Sequence, residues 1–136
     1  MSQTDELALA FCDCSLPQSE WTHHAHLRVG LWHLLQFTPD EALNRLRDGI
    51  RRYNVACGVA NTETSGYHES ITRFYVWVIA RFVASSDPAR PIDELADELI
   101  RLHGARELPL RHWSKSRLMS AEARLAWVEP DLAPLT

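Results

Sequence analysis

Thr38-Pro39-Asp40-Glu41 is a helix start written in four residues. Thr38 offers a side-chain oxygen to the orphan N–H groups of the first turn, Pro39 has no N–H to lose there, and Glu41 can reach back to the Thr38 N–H as a capping box. The residues that follow keep the helical period. Ala42, Leu43, Leu46, Ile50 and Tyr53 form one apolar stripe, and Asn44, Arg45, Arg47, Asp48 and Arg51 form the solvated side.

The same pattern recurs along the chain. A short opening segment around Leu7 to Cys12 precedes a turn at Pro17, and Glu20 to Phe37 is apolar on most faces, as expected of a helix with little exposure. Ala56 to Gly66 has loop chemistry, and Tyr67 to Val83 reads as a third helix, its length outweighing a β-strand over Phe74 to Phe82. Pro91 to His103 is a fourth, with Gly104 as its stop. A polar connector then leads to a short helix opened by Ser120 and ending before Pro130. The expected architecture is an all-α bundle of four to five helices, one domain over residues 1–136.

Composition narrows the function. A chain of 136 residues, 46% hydrophobic and 24% charged, builds one core and excludes a large multi-domain machine. Its net charge of -4, with no basic run beyond Arg51-Arg52, argues against nucleic acid and anionic membranes as partners. No apolar run approaches the roughly 18 residues of a membrane span, and the N-terminus lacks the basic and apolar parts of a signal peptide. Three cysteines, Cys12, Cys14 and Cys57, fit reduced thiols in the cytoplasm better than a disulfide framework or a zinc site. Phosphate-cradling, dinucleotide, nucleophile-elbow and His-Glu-x-x-His motifs are missing. The single lysine, Lys115, lies in a polar tail segment, and Cys57 is a minor alternative as nucleophile.

Histidine remains. Four of the seven, His23, His24, His26 and His33, fall within eleven residues. On a helical wheel Leu34, Leu27 and Leu31 lie within about 80° of His23, and His26 shares the broad apolar face. On the third helix His68, Thr72 and Tyr75 occupy the polar half of the inward stripe, with Glu69 on its flank. In an up-down-up arrangement the first and third of these helices run parallel, so His23, His26 and His68 converge at one end. Tyr53 and Asn54 arrive there from the second helix, the Ala56 to Gly66 loop closes over that end, and Trp21 walls it.

Imidazoles buried together need partners. A divalent transition metal supplies them, with His23 and His26 one turn apart on one helix and His68 as third ligand. Glu69 then serves as a fourth ligand or base, and Tyr75 in proton transfer or substrate placement. His33 and His103 are expected to be partly exposed near helix C-termini, and His24 and His112 to be surface residues. Hydrogen bonding within the helix, or across to Asn54, is expected for Thr72 and Tyr75.

Three motifs carry a resemblance: Trp-Thr-His-x-Ala-His-Leu at Trp21 to Leu27, Gly-Tyr-His-Glu-Ser-x-Thr at Gly66 to Thr72, and Ser-x-Glu-Ala-Arg-x-x-Trp-Val-Glu-Pro-Asp-Leu at Ser120 to Leu132. In these the chain resembles a group of small, mostly bacterial helical proteins. The resemblance implies that His23 and His26 belong together, and that His68, Glu69 and Thr72 accompany them; it implies no reaction. Tyr67, beside His68, is expected to line the same pocket. The functional expectation is a small metal-dependent enzyme, hydrolase or oxidoreductase, acting on a small molecule. The alternatives are a metal-free module binding a small ligand, and a structural or homodimerising helical protein whose histidines complete a buried network.

Overall fold

The computed structural model describes residues 1–136, folded into seven α-helices and two short 3-10 turns with no strand. The helices are α1 (Gln3–Cys12), α2 (His23–Gln36), α3 (Pro39–Ala56), α4 (Glu69–Ala84), α5 (Ile92–His103), α6 (Lys115–Leu118) and α7 (Ala121–Leu125). The two 3-10 turns are Gln18–Glu20 and Leu108–Arg111. The all-α expectation is met. The count rises above five because α1 is a full helix with its own Ser2–Asp5 capping box, and the polar connector contains α6.

Side-chain caps set the boundaries. Thr22 accepts from the Ala25 N–H at 3.2 Å, so α2 begins at His23 and Glu20 belongs to the preceding 3-10 turn. Thr38 caps α3 through the Glu41 N–H at 3.3 Å, but Glu41 turns its carboxylate to Arg45 one turn on. Only half of the expected capping box forms. His68 is itself the cap of α4, which therefore begins at Glu69 and two residues later than expected.

Helix α2 packs against α1, α3, α4 and α5, which accounts for its apolar residues on most faces. The His23 ring meets the Tyr75 ring, and further along both helices Gly30 meets Ile79. The contacts fall in the same order, so α2 and α4 run parallel as the topology predicts. At Gly30 a Cβ would stand 2.7 Å from the Ile79 terminal methyl, so the close approach of the two helices leaves room for a side chain there only if that methyl moves aside.

A second core lies on the other side of α4, where Phe74 and Val78 meet Leu108, Trp113, Leu118, Ala123 and Val128. Polar ties fix this C-terminal segment. The buried Ser70 hydroxyl donates to the Ala126 carbonyl at 2.9 Å and accepts from the Val128 N–H at 3.2 Å. Arg124 donates to the Gly66 carbonyl at 2.8 Å. The second and third sequence motifs are thereby joined to each other.

Candidate functional site

The first three turns of α2 and α4 and the middle of α3 border a cavity of about 570 Å³, a size ordinary for a small-molecule site. Its floor is hydrocarbon from Leu27, Leu46, Ile50, Val76 and Ile79. Trp21, Thr22, His23, His26, Thr72 and Tyr75 form the polar wall. The segment from Arg106 to Met119 is the roof, contributing Arg106, Pro109, Leu110, Lys115, Leu118 and Met119.

Two polar atoms in this wall are buried without a partner, the Nε2 of His23 and the hydroxyl of Tyr75. Their rings lie 5.9 Å apart, nearly edge to face at 71°. Burial and then the Arg106 charge lower the His23 pKa, against the nearby Gly104 carbonyl, so the ring is neutral at neutral pH. Burial, followed by the Glu107 charge, raises Tyr75 to about 12 and keeps its phenol protonated. Tyr75 was expected to bond within its helix or to Asn54 and does neither. It is a hydrogen-bond donor rather than a base.

His26 stacks on Trp21 with ring centroids 3.7 Å apart, and Trp21 in turn stacks on Phe11 at 4.6 Å. The His26 Nδ1–H donates to the Thr22 carbonyl at 2.7 Å, because a carbonyl only accepts. The lone pair of its other nitrogen is left available. The surrounding protein lowers the His26 pKa, while the ring stays solvent-accessible at the cavity wall and water limits the effect. The Thr72 hydroxyl donates to the His68 carbonyl at 2.8 Å, as expected of a bond within the helix, while its side chain borders the cavity.

The other expected members lie elsewhere. His68 accepts the Ile71 N–H on Nδ1 at 3.1 Å and donates from Nε2 to the Leu118 carbonyl at 2.7 Å. Both nitrogens are committed, so His68 is withdrawn from the metal-ligand set. The wheel had treated it as a helical residue, whereas its φ of -131° and ψ of 108° are those of an extended cap. No three His, Cys, Asp or Glu side chains are grouped to hold a metal ion.

Glu69 is also corrected. Its carboxylate takes a bidentate pair from Arg47 at 2.9 and 2.7 Å and a third bond from the Tyr67 hydroxyl at 2.7 Å. Burial acts to raise its pKa, but the Arg47 and Tyr67 bonds outweigh it and the net direction is down. A carboxylate so held is a poor base, and Tyr67 is its structural partner. Tyr53 donates to the Leu16 carbonyl at 2.7 Å inside the core. Asn54 donates to Asn61 at 3.0 Å, folding the Ala56 to Gly66 loop onto the end of α3 instead of over the cavity.

Among the remaining histidines, His33 is 3% exposed, not partly exposed, and its ring bonds the Val29 carbonyl at 2.8 Å. His112 is half-buried, with the Ala133 carbonyl at 3.0 Å from Nδ1, while His24 is exposed as expected.

The roof was missed because its apolar residues follow no helical period. Leu108-Pro109-Leu110 and Leu118-Met119, apolar groups inside a polar segment, were the available signal.

His68→Ala should lower stability by about 1–3 kcal/mol, through the lost cap and the orphaned Leu118 carbonyl. Urea melts would test this; unchanged stability would refute the capping role. Burial depresses the His68 pKa below the ordinary imidazole value of 6.5. The folded state then binds fewer protons than the unfolded one, so His68's contribution is full above about 6.5 and is lost as pH falls below it.

No protein-family model, curated protein or solved structure matches this chain.

Proposed function

We propose that this protein binds a small organic molecule in the cavity between α2, α4 and the Arg106 to Met119 roof. The observation that carries this reading is the pair of unpartnered buried groups, His23 Nε2 and Tyr75 hydroxyl, on one wall of a space whose floor is hydrocarbon. A buried polar group without a partner costs about 1–3 kcal/mol, and a ligand with complementary atoms recovers that cost. Apolar walls with a few convergent polar groups are the usual composition of such a site.

A metal-dependent enzyme has less support. His23 and His26 lie one turn apart and supply two imidazoles, but His68 is occupied by its cap and its bond to Leu118. The metal-free alternative needs no further ligand.

The test is an NMR fragment screen of the purified full chain, repeated with His23→Ala and Tyr75→Phe. Fragments should shift the Trp21 and Tyr75 resonances, bind equally after chelator treatment, and lose about tenfold in affinity in either variant. Absence of any cavity-bound fragment, or unchanged affinity in both variants, would overturn the reading. Binding abolished by the chelator and restored by zinc would favour the metal-dependent one.

A further inference from the structure

The chemistry of the cavity wall narrows the ligand class, on the reading that the cavity binds a small molecule. The two charged residues that line it are both cations, Arg106 and Lys115. They sit on the roof, and neither takes part in any of the ion pairs Arg28–Asp97, Arg45–Glu41, Arg47–Glu69, Arg90–Glu94 and Arg90–Glu98. No Asp or Glu lines the space, although the chain as a whole is acidic with a net charge of -4. Glu107, the acidic neighbour of Arg106, is exposed and outside the lining. Lys115 is the chain's single lysine, so that one ammonium stands at the cavity.

Both cations come from the separate Arg106 to Met119 segment, while the α2, α3 and α4 side of the cavity is largely hydrocarbon, from Leu27, Ile50, Val76 and Ile79. An ion placed there would be desolvated without a partner, so charge belongs at the roof and carbon at the floor. The neutral His23 and the Tyr75 hydroxyl add polar contacts at the side wall.

We infer that the cavity takes an amphipathic carboxylic acid, its carboxylate held at the roof by Arg106 and Lys115 and its apolar body packed on the α2, α3 and α4 floor. Guanidinium and ammonium groups are the side chains best suited to a carboxylate, Arg by a two-point fork and Lys as a point charge. A neutral molecule of the same shape leaves both cations without an anion, and a cationic one is repelled.

The experiment is calorimetric titration of the full chain at neutral pH with three probes of one shape, octanoate, octanol and octylamine. A phenylbutyrate, phenylbutanol and phenylbutylamine series serves as the second shape. The carboxylates should bind about tenfold or more tightly than the alcohols, with the amines weakest. The preference should shrink with added salt. In the Arg106→Gln/Lys115→Gln double variant, octanoate and octanol should bind within about threefold of each other. Both positions are exposed, and an unchanged melting temperature would confirm that the variant is folded. If the alcohols or amines bind as well as the acids, or the double variant keeps the preference, the carboxylate assignment is overturned while the cavity reading stands. If none of the six binds the native protein, the assignment fails, and the fragment screen then decides the cavity reading separately.

Discussion

Trp113→Ala is expected to lower the unfolding free energy by about 3–5 kcal/mol, the usual range for deleting a large buried aromatic. Trp113 is 0% exposed and lies at the centre of the second core. Its ring stands edge to face against Phe74 and Trp127, each with centroids 5.5 Å away. Its Nε1–H donates to the Val128 carbonyl at 3.0 Å. Alanine leaves a hole between α4 and the C-terminal segment and orphans that carbonyl as well. Leu118 belongs both to this core and to the cavity roof, so the roof should loosen with it. Equilibrium urea unfolding measures the first effect, and hydrogen exchange across residues 106–119 the second. Trp113→Phe, which keeps a ring and loses the N–H, should fall between. A loss below about 1 kcal/mol in Trp113→Ala would show that the segment is not held by this residue.

Glu69→Ala should cost about 2–3 kcal/mol. Removing one member of a buried ion pair costs about 3–5 kcal/mol and of an exposed pair at most about 1. With side-chain exposures of 9% for Glu69 and 26% for Arg47, this pair lies nearer the first limit. The variant leaves the Arg47 guanidinium and the Tyr67 hydroxyl without their acceptor. The pH dependence has a definite sign. The folded pKa of Glu69 is depressed below 4.5, so its stabilisation is full above that value and declines as pH falls through the folded pKa. Acid denaturation of the native protein should therefore be steeper below 4.5 than that of the variant. Because Glu69 lies outside the cavity lining, ligand affinity should fall only as far as folding does. A large loss of binding in a fully folded Glu69→Gln variant would return this carboxylate to the site.

What could be read in advance was what local rules control. The Thr38 cap, the period of α3 and the parallel course of α2 and α4 follow from propensity and short connections. Those rules also brought Trp21, His23, His26, Thr72 and Tyr75 to one cavity. His68 and Glu69 were misplaced because a cap and an ion pair decide their directions, and neither is a matter of helical angle. A two-residue shift in the start of α4 turns an inward histidine into the cap of its own helix. Arg47, in the middle of α3, gave no sign in one dimension that it faces Glu69, 22 positions later. The roof was illegible for a related reason, since long-range packing on Phe74 and Trp113 holds it in place and no periodic face announces it.

Gly30 lies on the cavity floor with the Ile79 terminal methyl where its own side chain would be. That methyl is the flexible end of a side chain, so a larger residue at position 30 would displace it into the adjoining space, not part the helices outright. The depth of the chamber is thus tunable at one position, a stop whose setting decides how long an occupant can be while the roof and wall stay unchanged.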